Sequence, residues 1–169
     1  MSDLKKLFRK EHPFITEPGS WILAGHSMSG DPLDRVPVQG RIQITHEEGK
    51  IVNLGEMGFV SRSNPVKFQT SYELTPAEDE LALDFFQANE AVGDLKGRLV
   101  AFDDRLVSSY TSGDGSLTGF EVFFRTGDNR YAVTGTLLSG GKIISLWKLD
   151  MVRPAAEEAR KDSEQTGGE

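Results

Sequence analysis

A chain of 169 residues with a formal net charge of −7, no cysteine, and 27% charged against 37% hydrophobic residues fits one folded domain. The missing cysteines exclude disulfide stapling, a thiol nucleophile and thiolate metal sites. The acidic balance speaks against a nucleic-acid partner, which needs a clustered basic face.

Residues 2–12 are expected to form a short N-terminal helix. Ser2 suits the N-cap, Leu4, Leu7 and Phe8 fall at helical spacing, and Pro13 should end it. Four basic residues (Lys5, Lys6, Arg9 and Lys10) face two acids there, but a single two-turn stripe is too short for a membrane-surface helix, so a lid or plug is expected. The opening MSDLKKLFRKEHPF lacks the apolar core and small-residue cleavage site of a secretion signal, and no run of about eighteen apolar residues occurs. A cytoplasmic protein without integral membrane contact is the expectation.

From residue 20 onward the period is two, with turn signals at near-regular intervals. After a first strand over Trp21–Ser27, Val38, Gly40, Ile42 and Ile44 alternate with Gln39, Arg41, Gln43 and Thr45 and run into the turn Glu47-Glu48-Gly49-Lys50. Ile51–Met57 follows, and then the cleanest alternation of the chain, Val66, Phe68, Thr70, Tyr72 and Leu74. Leu81, Leu83 and Phe85 continue the pattern, as do segments near 94–102 and 105–112. Thr118, Phe120, Val122 and Phe124 lie between Gly113-Asp114-Gly115-Ser116 and Gly127-Asp128-Asn129, and Arg130–Leu138 and Lys142–Met151 flank Ser139-Gly140-Gly141. About ten strands result, with no helix long enough for a parallel crossover. Sequential antiparallel strands leave two raw edges unless the sheet closes, so the expected fold is all-β, an up-and-down barrel. The expected divisions are 1–18 for helix and lead-in, 19–153 for the barrel, and 154–169 for a charged, disordered tail.

Gly19-Ser20-Trp21 resembles the Gly-x-Trp that opens the first lipocalin strand, and Arg153 resembles the basic residue that packs across that Trp and helps close the barrel. Lys148 competes for this role. The likeness is to the calycin barrels, and the strand count is nearer the fatty-acid-binding and nitrobindin-like members than the eight-stranded lipocalins. It implies a cavity for a small hydrophobic or amphipathic molecule. Two departures bear on the ligand. Arg130 stands beside Tyr131, so the pair cannot form the Arg-x-Tyr carboxylate clamp of the fatty-acid-binding proteins. The histidines, His12, His26 and His46, all lie in the first third, whereas nitrobindin-like proteins hold haem through a His near the C-terminus, so no cofactor is expected.

Motifs for chemistry are sparse. Gly25-His26-Ser27-Met28-Ser29-Gly30 has its second Gly one place too late for a nucleophile elbow and no helix after it. His46-Glu47-Glu48 lacks the second His of a zincin, and Gly113-Asp114-Gly115 is turn chemistry rather than a phosphate cradle. His26 and His46 could pair if their strands were neighbours, yet two histidines without a third ligand make no catalytic metal centre. On the strand around residue 121, Glu121 and Arg125 share one face and Phe120, Val122 and Phe124 the other. Small barrels are usually filled by side chains, so the apolar face is expected inside. The candidate ligand-binding residues are Trp21, His26, Phe68, Tyr72, Phe85, Tyr110, Phe120, Phe124, Tyr131 and Trp147, with Trp21 and Arg153 closing the barrel. The favoured function is ligand binding without covalent chemistry or metal, and a homodimer is compatible with it. Two alternatives stand beside it: an isomerase-, cyclase- or lyase-type enzyme using His26, His46, Glu121 or Arg125, and a solid-cored barrel acting as an interaction module.

Overall fold

The computed structural model describes residues 12–29, 34–59, 66–78, 82–90 and 92–155. Apart from His12, the helix expected at 2–12 lies outside these, as does the tail from 156 onward. The described chain begins with one helical turn, α1 (Pro13–Thr16). Pro13 stands at the first position of this turn, where its missing N–H costs no hydrogen bond.

Ten strands follow: β1 (Gly19–Ser29), β2 (Asp34–Glu47), β3 (Lys50–Phe59), β4 (Val66–Pro76), β5 (Ala82–Asn89), β6 (Leu95–Phe102), β7 (Arg105–Ser112), β8 (Leu117–Gly127), β9 (Arg130–Ser139) and β10 (Lys142–Val152). Each pairs antiparallel with its chain neighbours, and β1 also pairs with β10, Leu23 opposite Met151, so the barrel is closed. Closure satisfies the backbone groups that an open sheet would leave at its borders. The reversals are tight where the sequence allows it. Gly140 and Gly141 form the two-residue link between β9 and β10 with φ of 55° and 80°, the left-handed pair that matches strand twist.

Alternation places the core. In β2, Val38, Ile42 and Ile44 are buried while Gln39, Arg41, Gln43 and Thr45 are exposed. In β7, Leu106, Ser108 and Tyr110 are buried between exposed neighbours. β8 reverses the expectation. Its apolar face turns outward, with Phe120 50% and Phe124 37% exposed, and Glu121 and Phe123 turn inward. Pairing fixes this: Glu121 stands opposite Ser108 and Gly135, both inward, and Val122 opposite the outward Val107. A one-residue shift would have exchanged the faces of the whole strand.

One end of the barrel is sealed. α1 drops Phe14 and Ile15 inside, where Phe14 meets Trp21 (ring centroids 5.6 Å apart), Phe123 (5.4 Å) and Tyr131 (6.1 Å). Residues 13–16 thus plug this end, while the lid or plug expected of residues 2–12 lies, His12 apart, outside the described residues.

Candidate functional site

Above the plug the interior is hollow. A cavity of about 430 Å³ runs from Phe14 and Ile15 toward Ser29, Phe59, Phe68 and Val92 at the other end. A solid-cored barrel is therefore not what this sequence builds. A second depression, on the outer wall of β2–β5, is walled largely by exposed chains such as Arg41, Glu56 and Glu90 and gathers no buried polar group.

Two polar rows cross the lumen wall. The first runs through directly opposed residues of five strands, Ser108, Glu121, Gly135, Trp147 and Ser27. Gly135 makes room for its centre: a Cβ there would lie 2.4 Å from Trp147 ring carbons and 2.7 Å from Glu121 Cγ. Across that gap Trp147 Nε1 donates to Glu121 Oε1 at 2.8 Å. The same device seats two further rings, Phe85 over Gly97 and Tyr110 over Gly119, where an added Cβ would come within 2.5 and 2.6 Å of them. The second row, on the opposing wall, is Asn53, Tyr72 and Gln87, in register on β3, β4 and β5. Asn53 and Gln87 are 7% and 5% exposed, and Asn53 Oδ1 has no hydrogen-bond partner. A buried amide oxygen left unpaired costs roughly 1–3 kcal/mol unless something supplies a donor.

Near Ser27 a bulge re-aims β10. Its register slips between Ile143 and Ser145, so that both Ile144 and Ser145 reach the lumen. Ser145 Oγ lies 2.9 Å from Ser29 Oγ and 3.4 Å from Ser27 Oγ, making a small hydroxyl cluster.

Electrostatics single out Glu121. Burial pushes its carboxyl up to about 7, against the opposing pull of the Trp147 hydrogen bond. Tyr72 and Tyr110 are pushed up by burial first and by the Glu121 charge second, so both phenols stay neutral at physiological pH. Tyr110 donates to the Thr136 carbonyl at 3.2 Å. Among the described residues lining the cavity, Glu121 is the one with a formal charge, and no Lys, Arg or His joins it.

Of the sequence candidates, Phe68, Tyr72, Phe85, Tyr110 and Trp147 face the cavity. Trp21 and Tyr131 are fully buried in the sealed end beneath it. Arg153 lies over the Trp21 ring at 5.7 Å, held by Glu17 and the Pro18 carbonyl. His26, Phe120 and Phe124 face outward, Phe124 beneath Arg105 at 4.7 Å. Arg125 pairs with Asp128 at 3.1 Å near the β8–β9 turn, away from the cavity. His26 and His46 do not meet: His26 opposes Pro37, nine residues from His46 along β2, roughly 30 Å of strand. Among the described residues no group of three His, Asp or Glu is placed to hold a metal. Asn53, Gln87 and Ser108 escaped the sequence reading, and Ser27 entered it only within the discounted nucleophile elbow. Their one signal was a polar residue at inward parity, which in sequence looks like a flaw in the alternation.

No family model and no curated protein matches the chain. Two solved structures share its architecture: the S-type phycobiliprotein lyase from Guillardia theta (TM-score 0.63, 12% identity, 90% of this chain and 93% of that one) and Rv2717c from M. tuberculosis (0.67, 9%, 92% and 99%). At such identities the likeness is one of fold alone, a closed antiparallel barrel. Among the described residues no helix is long and apolar enough to cross a membrane.

Proposed function

We propose that the protein is a cytoplasmic carrier or receptor that holds a small amphipathic molecule in the barrel lumen. One observation carries this: a cavity of about 430 Å³ lined by aromatic rings and a few buried polar groups, one of them without a partner. Packed interiors keep few voids larger than a water molecule, whereas ligand pockets run from about 300 to 1,000 Å³ with this mix of lining. The neutral dye Nile red tests it. The protein should bind the dye and enhance its fluorescence, and Ser108→Phe, which projects a ring into the lumen, should weaken binding at least about ten-fold. Native mass spectrometry of freshly expressed protein should also show a co-purified small molecule. Absent dye binding, or binding indifferent to Ser108→Phe, would overturn the reading.

A second reading, an isomerase- or lyase-type enzyme in the same lumen, is favoured by one arrangement. A carboxyl poised near neutral pH shares the cavity with two phenols, Tyr72 and Tyr110. One of the solved structures with this fold is itself named a lyase. Glu121→Gln separates the readings, since it would abolish turnover in an enzyme while leaving a carrier able to hold a neutral ligand.

A further inference from the structure

Resting on the ligand-binding reading, we infer that the molecule held in the lumen is an apolar amine, its cationic nitrogen set against Glu121 Oε2, and not a fatty acid or other carboxylate. Four features of the cavity select this class. Trp147 satisfies one carboxylate oxygen of Glu121, and among the described residues no hydrogen bond reaches the other. On the opposing wall Asn53 Oδ1 is a second buried acceptor that lacks a donor. No Lys, Arg or His among the described lining residues could neutralise an incoming carboxylate. A carboxylate would also be buried beside Glu121, where like charges destabilise each other, while an ammonium would turn an isolated charge into a pair. The aromatic lining, which includes Trp147, Tyr110 and Phe85, accommodates a cation better than an anion.

The groups facing Glu121 keep its charge state simple. Tyr72 from β4 and Tyr110 from β7 are the titratable side chains directed at it, and both remain neutral across the accessible range. Below about pH 7 the free protein carries Glu121 protonated, so amine affinity should fall as pH drops from 8 to 6.

Calorimetric titration at pH 8 with three twelve-carbon probes below their micellar concentrations decides the matter: n-dodecylamine, 1-dodecanol and sodium dodecanoate. The amine should bind at least about ten-fold tighter than dodecanoate, with the alcohol between them. Glu121→Gln, which preserves shape, should erase the amine's advantage over dodecanoate, and a cooperative urea-unfolding transition verifies that the variant is folded. Equal affinities, or preference for dodecanoate, would overturn the assignment while leaving the ligand-binding reading standing. An amine preference that survives in Glu121→Gln would trace to the acidic exterior and overturn it as well. Failure of all three probes would remove both readings.

Discussion

The two halves of the barrel interior follow opposite rules. At the sealed end, aromatic faces meet edges and planes, and the histidines and Tyr131 find polar partners, although Trp21 Nε1 has none. His12 Nε2 donates to the Asp103 carbonyl at 3.0 Å, leaving Nδ1 to accept from the Tyr131 hydroxyl at 3.4 Å, and His46 Nε2 donates to the Ile15 carbonyl at 2.9 Å. These contacts fasten the plug to the turn after β6 and to β2. In the hollow half, glycines open seats under rings, an amide oxygen waits without a donor, and a carboxyl sits in surroundings that resist its charge. Dense packing at one end supplies stability that the other end forgoes, which is how a fold can tolerate an underpacked site.

The largest effect should come from breaking the sealed end. Phe14 is 3% exposed and touches three rings, so Phe14→Ala should cost about 3–5 kcal/mol in urea unfolding. A cost below about 1 kcal/mol would mean that the plug is ornamental and the division between the halves mistaken.

The hollow half should reveal itself through pH at a smaller scale. Glu121 has a folded value of about 7 against 4.5 unfolded, so the folded state binds the extra proton. The stability this provides is complete below pH 4.5 and is lost as pH rises through 7. Discounted for the carboxyl's residual exposure to the lumen, the loss should be about 2 kcal/mol between those limits. Glu121→Gln should flatten that stretch of the stability profile and make the protein more stable than wild type at pH 8. Parallel profiles for variant and wild type would show that the carboxylate is well solvated, and the contrast between the two halves would shrink accordingly.

Much of the fold was legible because a period of two is a strong and repeated signal. β2, β4 and β7 alternate plainly, their turns carry Gly, Asp and Pro, and closure follows from the lack of any crossover helix. The site was less legible for a physical reason. Pattern reading assumes that the apolar face is the inside, and a hollow barrel puts polar groups there on purpose: Asn53, Gln87, Ser108 and Glu121 all occupy inward positions. Of the aromatics at inward parity, Phe68, Tyr72, Tyr110 and Trp147 could be named from sequence because their strands offered no competing ring on the other face, whereas Phe85 had to be chosen over its outward neighbour Phe86. The lid or plug expected of residues 2–12 lies, His12 apart, outside the described residues, and Phe14 and Ile15 were not singled out because Pro13 looks like a terminator in sequence, whereas it serves as a first-turn residue in the fold.

β8 sharpens this lesson and supplies the smallest expected effect. Phe120 and Phe123 sit three residues apart on one strand, and composition gives no reason to prefer either as core. Phe120 is half exposed on the outer wall, whereas Phe123 stacks on Phe14 inside. Phe120→Ala should therefore change stability by less than about 1 kcal/mol in the same urea titration that penalises Phe14→Ala, because the ring loses little contact it does not already share with solvent. A loss of several kcal/mol would mean that the outer face of β8 is covered in solution. Glu121 would still face the lumen, opposite Ser108 and Gly135, and the covering surface would have to be sought on the outer wall of β8.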